Sequence, residues 1–499
     1  MRITIQEIFD VLGINSDAPN TSLEPITNFK QAHQNALFFA IQSPYGKGWE
    51  QLDEVRNNGV QWAVVPENIE GLSCQGLNLI PVPDPIQLLG QLARKHLNYP
   101  PNLIAVTGTN GKSSISYYCA QLSQQVGLHS GIIGTFGVGP LEAIKPSPRT
   151  TPDIIYLHHT MNDMALAEVK TVAFEASSEG LDQRRLEGIP VEVAIFTNFS
   201  RDHLNYHNTM EAYLSAKKKL FSHPDLKLAV INIDDPFAES MIEGKDYKCY
   251  RYSLIQPDAD FFANILSYEA DYQIIDLHTP IGNQLINLPL LGDFNTSNAL
   301  AALAALWDSI EDKTALIQAL SFLHGAPGRM QQIKLDKQPL VVVDYAHTPD
   351  ALEVSLRALG QHTSGKIYCV FGCGGDRDKG KRPLMTEAAL MGSDVVILTT
   401  DNPRFEDPLA IINDACELIS PEVFAPQSKL QRYVDRREAI EKAINQAGPE
   451  DTILIAGKGH ETYQEVCGVK HHFNDVEEAQ CALNKRAAHE LERLLEPAV

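Results

Sequence analysis

The chain has 499 residues, 44% of them hydrophobic, and a formal net charge of −22. That length exceeds what one hydrophobic core organises, so several domains are expected. The acidic balance argues against a nucleic-acid surface, which needs a basic stripe, and no window holds the roughly 18 apolar residues of a membrane helix.

The opening Met1-Arg-Ile-Thr-Ile-Gln-Glu7 lacks a signal-peptide apolar core, so the expected compartment is the cytoplasm. Residues 1–97 read as a first, mixed unit. Short strands are expected at 36–41, 61–66 and 79–83, and a helix at 85–97. Tyr99-Pro-Pro-Asn102 then serves as a linker, because proline disfavours helix at itself and at the residue before.

The second unit, 98–330, opens on the stretch around which the chain is organised. Apolar residues 103–107 read as a buried strand. They break into Gly108-Thr-Asn-Gly-Lys-Ser113, and a helical pattern is expected over 115–126. A strand, a Gly-rich turn and a helix N-terminus make a ready anion site. Gly108 and Gly111 allow close backbone approach, Lys112 can reach the β/γ-phosphates, and the Ser113 hydroxyl can reach Mg²⁺. The full Walker spacing is not met, since Val106 stands where its first glycine would be.

Further buried strands are expected at 171–175, 191–197 and 228–232, with helical patterns between several of them. That alternation implies βαβ units and a parallel sheet. Residues 258–291 alternate in shorter segments and read as an antiparallel extension, followed by a helix at 296–306. The third unit, 331–499, repeats the alternation, with strands at 340–343, 367–371, 395–399 and 452–456 and a charged amphipathic helix at 478–495. The fold class is therefore three-domain α/β, with a small mixed N-terminal domain, a central parallel-sheet phosphate-loop domain and a Rossmann-like C-terminal domain. The eight cysteines include no C-x-x-C pair and read as reduced thiols; Cys369 and Cys373 are expected to pack rather than hold metal.

Apolar runs in the second and third units end in polar clusters: Glu175-Ala-Ser-Ser178, Thr197 to His203, Asp344-Tyr-Ala-His347, Gly372 to Arg377, Thr399 to Arg404, and Gly457 to Glu461. Parallel sheets bind ligands at the carboxyl ends of their strands, so each unit's clusters should share one edge. Glu175 closes an apolar strand and needs a partner, which Mg²⁺ would supply. His203 reads equally as an oriented ligand or a hydrogen-bonded loop histidine. Arg404 is either a fork for a carboxylate or a solvated turn residue. The run Lys217-Lys-Lys219 is ordinarily a solvated face, yet Lys217 is four residues from both Tyr213 and Phe221. It therefore shares their helical face, where an amine can lose its charge and react.

Together these residues resemble the Mur ligase family, the ATP-dependent amide-bond enzymes of peptidoglycan precursor synthesis. The likeness covers nearly the whole chain. It rests on the loop Thr107 to Ser113, on Asn198-Phe-Ser-Arg-Asp-His-Leu-Asn-Tyr-His207, on Gly292-Asp-Phe-Asn-Thr-Ser-Asn298, on Gly328-Arg-Met330 and on Asp344 to Pro349. Gly372 to Pro383, Asp401-Asn-Pro-Arg404 and Gly457-Lys-Gly-His-Glu461 resemble the member that joins a diamino acid to UDP-N-acetylmuramoyl-L-alanyl-D-glutamate. The Asp-Asn-Pro-Arg form is similar to enzymes that choose meso-diaminopimelate.

The resemblance implies an ATP site on Gly108, Thr109, Asn110, Gly111, Lys112, Ser113 and Ser114, with Asn295, Arg329 and Asp344 as further nucleotide contacts. It implies Mg²⁺ near Ser113, Glu175 and His203, and a Lys217 carbamylated by CO2 as ligand to a second Mg²⁺. Lys112, Glu175, His203 and Lys217 would carry the catalysis. Thr150, Thr151, Ser177, Gln183 and Arg185 match contacts to the UDP-N-acetylmuramoyl dipeptide. Arg377, Asp401, Asn402, Pro403, Arg404, Gly457 and Glu461 match diaminopimelate contacts. The implied partners are these small molecules alone, handled by a monomer with neither nucleic acid nor membrane span. Three departures stand out: Arg149-Thr-Thr151 replaces Asn-Thr-Thr, Glu179 replaces a histidine, and Asn28-Phe-Lys30 replaces the uridine-binding Asp-Ser-Arg. The last keeps a paralogous ligase with another carrier or amino acid open as an alternative; intact Lys112, Glu175, His203 and Lys217 speak against a catalytically dead nucleotide-binding relative.

Overall fold

In the computed structural model of the protein, the described residues are 1–15, 19–44, 46–417 and 429–495. They form two compact units, Met1–Arg251 with Ala304–Glu311, and Tyr252–Leu303 with Asp312–Val499.

The first unit begins with a mixed sheet in the order Ile3–Thr4, Ser22–Ile26, Ala36–Phe39, Trp62–Pro66, Asn78–Val82, parallel except at its first pair. Alternate side chains face opposite ways along each strand. Leu37, Val64 and Ile80 accordingly share a core with Leu88 and Leu92 of the helix Pro85–His96. Phe38, Ala63 and Val65 pack on the other face with Leu52 and Val55.

That helix is fastened to the chain that follows it. Its cap, Asp84, pairs with Arg184, and Arg94 forks onto both oxygens of Asp225 at 2.5 and 2.9 Å. Backbone meets backbone where a Cβ on Gly90 would lie 2.9 Å from the carbonyl of Glu187, and one on Gly188, at φ +80°, would overlap Gly90 itself.

Six neighbouring strands of the unit's second sheet lie in the order Gly137–Pro140, Ser130–Gly134, Thr171–Glu175, Asn102–Thr107, Val193–Phe196, Leu228–Asn232. All but the first strand are parallel. Register sets Glu175 opposite Val106 and Phe196 opposite Thr107. The polar clusters therefore emerge along one edge, as expected.

In the second unit, Phe261–Tyr268, Gln273–Thr279 and Gly282–Leu288 pair antiparallel, which bears out the extension expected over 258–291. A further sheet runs Gln331–Ile333, Leu340–Asp344, Thr452–Ala456, Ile367–Cys373, Val395–Thr400, Leu430–Arg432, parallel beyond its first strand. It is covered on both sides. Val342, Phe371 and Leu398 face one core, and Val343, Val370 and Ile455 face the other. Cys369 and Cys373 are buried free thiols in these cores. No described helix is long and apolar enough to cross a membrane.

Three helix starts differ from expectation. The helix after the glycine turn spans Lys112–Gln125, the one expected from 296 spans Asp293–Leu306, and the one expected from 478 spans Asp475–Leu495. Each begins three residues before its apolar period does, because its first turn is polar.

Candidate active site

The loop after Thr107 is shaped by the strand beside it. Gly108 has φ +152°, and a Cβ there would overlap Thr197 Oγ1. Thr197 in turn donates to Asn110 O at 2.6 Å, and the Asn110 N–H donates to Asn198 Oδ1 at 2.9 Å. Gly111, at φ +88°, caps the helix and sends its first N–H groups toward the turn. Lys112 folds back over this loop, donating to Gly108 O at 2.9 Å and Thr109 O at 2.8 Å.

Glu175 is buried at the end of its strand, and its Oε1 accepts from Ser113 Oγ at 2.9 Å and Thr135 N at 2.6 Å. The expectation that this carboxylate needs a partner holds, and a hydroxyl and a backbone N–H supply it.

Lys217 is only 1% exposed. Its ammonium lies 4.4 Å from the centre of the Tyr213 ring and donates to Gly108 O at 2.7 Å. Burial, reinforced by the charge of Lys112, holds its pKa well below the ordinary lysine value. Of the readings open for the lysine run, the solvated face fits Lys219, which is exposed and paired with Asp182, and does not fit Lys217.

His203 stands at φ +52° before the short helix Leu204–His207, its ring 5.8 Å from that of Tyr213. It is part-exposed, with Asp202 at 3.6 Å and Glu179 at 4.0 Å.

A second group surrounds the backbone of Glu175. Thr151 Oγ1 donates to Glu175 O at 2.7 Å and accepts from Ser177 N at 3.0 Å. Arg185 donates to Thr151 O at 2.5 Å and to Gln183 Oε1 at 2.7 Å. Thr150 Oγ1 lies 3.3 Å from Thr135 Oγ1.

In the second unit, Asn295 is buried in the first turn of its helix and donates to Leu291 O at 2.9 Å. Asp344 is also buried, accepting from Met330 N at 2.7 Å and Ala346 N at 2.9 Å, and burial pushes its pKa up. Arg329, next to Met330, stacks its guanidinium 4.6 Å over Tyr345.

Gly457 donates its N–H to Asp344 O at 3.1 Å, and a Cβ on it would lie 3.1 Å from Asp401 Oδ2. Asn402 Nδ2 donates to Glu461 Oε2 at 2.9 Å. Arg404, after Pro403, has φ +51° and a side chain only 20% exposed, which excludes the solvated-turn reading. It donates to Gly375 O at 2.7 Å and lies 3.6 Å from Glu465. A Cβ on Gly374 would be 3.1 Å from Arg404 Nη1 and 3.6 Å from Arg377 Cγ, so both arginines flank that glycine.

Residues 106–306 match the Mur ligase middle domain, and residues 328–459 match the Mur ligase glutamate ligase domain. The chain is 41% identical over 452 residues to a UDP-N-acetylmuramoyl-L-alanyl-D-glutamate–2,6-diaminopimelate ligase of Ectopseudomonas mendocina, covering 90% of this chain and 92% of the relative. The chain belongs to the Mur ligase family. A relative of the same name from Pseudomonas aeruginosa is 45% identical over 383 residues, 77% of this chain and 78% of its own. A solved structure of that name is 39% identical with a TM-score of 0.75, covering 98% of this chain and 100% of the other.

The residues picked out by resemblance to Mur ligases thus fall into connected groups. The loop, Ser113, Glu175 and Lys217 form one set, joined through Glu175 to Thr150, Thr151, Ser177 and Arg185. Asp401, Asn402, Gly457 and Glu461 form another. Sequence reasoning passed over Lys458, which is wholly buried among Asp401, Asn402 and Glu461. The available signal was its place between two glycines at the end of an apolar strand.

Proposed function

We propose that this Mur ligase adds meso-diaminopimelate to UDP-N-acetylmuramoyl-L-alanyl-D-glutamate, with cleavage of ATP to ADP and phosphate. The observation that carries this reading is the likeness, over nine-tenths of the chain, to ligases of that name. The D-glutamyl carboxylate attacks the γ-phosphate to give an acyl phosphate. The diamino acid's amine then attacks the acyl carbon, and phosphate leaves.

This chain's residues suit those tasks. The Gly108–Gly111 turn, kept open by the absence of Cβ atoms, and the helix N-terminus behind it are fitted to phosphate. In this reading, Lys112 exchanges its contacts to Gly108 O and Thr109 O for phosphate oxygens, and Asn295, Arg329 and Asp344 hold the nucleoside. Ser113 and Glu175 bring a hydroxyl and a carboxylate together, a donor set that fits Mg²⁺, and His203 completes it. Mg²⁺ there would neutralise charge on the phosphates. Among the described residues no group of three or more His, Cys, Asp or Glu is placed to hold a metal ion by itself. Mg²⁺ held largely by phosphate and one carboxylate needs no such cage.

Lys217 is proposed as the carbamylated lysine. Burial favours its neutral form, whose nitrogen lone pair adds to the carbon of CO2 with loss of a proton, and the carbamate so formed is a fitting ligand for a second Mg²⁺. Thr150, Thr151, Ser177, Gln183 and Arg185 are assigned to the nucleotide-sugar dipeptide. Arg377, Arg404 and the group from Asp401 to Glu461 are assigned to diaminopimelate. Arg404 selects the diamino acid: its fork matches the distal carboxylate that lysine lacks. The division into three domains at about 97 and 330, a monomeric state and a cytoplasmic setting belong to the same reading.

A second reading, another carrier, draws on Asn28, whose Oδ1 is taken by its own turn through Lys30 N at 3.0 Å. One experiment separates them: ADP release assayed across candidate carriers and amino acids. The proposal expects release only with the UDP-N-acetylmuramoyl dipeptide and diaminopimelate together. Equal release with lysine, or with a different carrier only, overturns it.

A further inference from the structure

Lys458 is 0% exposed, an uncommon state for an ammonium group. Its surroundings explain how it is tolerated. Nζ is 3.2 Å from Glu461 Oε2, 3.4 Å from Asn402 Oδ1 and 3.7 Å from Asp401 Oδ1. Two N–H bonds of the ammonium thus meet acceptors, one from each of two loops, and Asp401 stands beside them as a countercharge. The Tyr463 ring centre lies 5.6 Å away.

The two acceptors are tied to one another. Asn402 gives Nδ2 to Glu461 Oε2 at 2.9 Å, while its Oδ1 accepts from Glu465 N at 2.9 Å. Lys458 and Asn402 both engage Oε2, which leaves Glu461 Oε1 as the oxygen for an incoming ammonium. Asp401 is almost fully buried and its Oδ1 accepts no hydrogen bond, so the nearby Lys458 charge, more than that of Arg436, offsets its burial. A second buried cation, Arg436, is committed to Asp475 at 2.7 and 2.8 Å. Burial of a charge without a partner is costly, so removing Lys458 would leave two carboxylates near each other with Asn402 released on one side.

We propose that Lys458 is the positioning residue of the amino-acid pocket: it fixes Glu461 and Asn402 in the orientation that receives the zwitterionic end of the diamino acid, without touching substrate itself. This rests on the assignment of Asp401, Asn402 and Glu461 to diaminopimelate made above. It goes beyond that assignment by naming what holds those side chains in place.

The test uses the full-length enzyme, with meso-diaminopimelate and ATP titrated separately and folding checked by thermal unfolding. Lys458→Met is expected to raise the KM for diaminopimelate at least tenfold and to leave the KM for ATP within twofold. Lys458→Arg retains the charge on a bulkier head and is expected to give a smaller rise, again for diaminopimelate alone. Because Lys458 acts through Glu461 and Asn402, the double variant Lys458→Met/Glu461→Gln should lose clearly less than the product of the two single losses. Independent, multiplying effects overturn the proposal. So does an unchanged KM for diaminopimelate in both single variants. If Lys458→Met does not fold, Lys458→Arg decides: equal losses for ATP and diaminopimelate with a lowered Tm mark the lysine as structural only. Failure of the wild-type enzyme to use diaminopimelate would instead refute the function proposed above.

Discussion

Lys217 Nζ and the carbonyl oxygen of Gly108 are 2.7 Å apart, so a buried amine at the end of one helix donates into the first residue of the glycine turn. The contact explains how the amine is held at the loop while its charged form is disfavoured. Lys217→Ala is expected to lose most turnover, with partial recovery on adding a short-chain carboxylic acid that can stand in for the proposed carbamate. Steady-state ADP release with and without the acid measures this. Wild-type turnover in the variant would remove Lys217 from the chemistry.

Arg404 is held by Gly375 O and Glu465, with its guanidinium beside Gly374. Arg404→Ala should raise the KM for diaminopimelate about tenfold or more, the effect of about 1–3 kcal/mol for a lost charged partner. The KM for ATP should stay nearly unchanged. Equal effects on both substrates would show that the arginine does not select the amino acid.

Gly108→Ala puts a Cβ onto Thr197 Oγ1 at a backbone angle that side chains rarely adopt. Strain of this kind costs on the order of 1–3 kcal/mol. The variant should fold with a lowered Tm and bind ATP far more weakly, read by nucleotide titration at fixed Mg²⁺. Undiminished nucleotide affinity would mean that the turn is not the phosphate cradle.

Glu406 accepts from the buried Arg382 at 2.8 and 3.1 Å and from Asp376 N at 2.5 Å, which holds its pKa down to about 2. Unfolded, the carboxyl takes its proton near 4.5. Its contribution to stability is therefore complete above that value and is lost as the pH falls toward 2. Glu406→Gln should be less stable than the parent at pH 7, and the gap should narrow through that acid window in urea unfolding. A gap independent of pH would contradict the linkage.

Much of this was legible because buried strands are written as apolar runs: the expected strands at 171–175, 228–232 and 452–456 coincide with those found. Helix starts were less legible, since Lys112-Ser-Ser114 and Asp293-Phe-Asn295 carry no apolar period. The hairpin Ser130–Gly134 with Gly137–Pro140 went unexpected, because Gly131, Gly134, Gly137 and Gly139 erase the alternation that marks a strand. Lys217 could be told from its neighbours through the aromatic residues four positions away. Lys458 showed only its place between two glycines, because the groups that explain its burial include Asp401 and Asn402, distant in sequence.

The bare backbone contact between Gly90 and Gly188 bears on how such enzymes could be recombined. A chimaera that grafts another head segment onto this ligase, to change the sugar carrier, must keep a residue without a side chain at both places and preserve acidic partners for Arg94 and Arg184. Exchange of modules between paralogues would therefore succeed in co-inherited pairs of segments and fail with one segment alone.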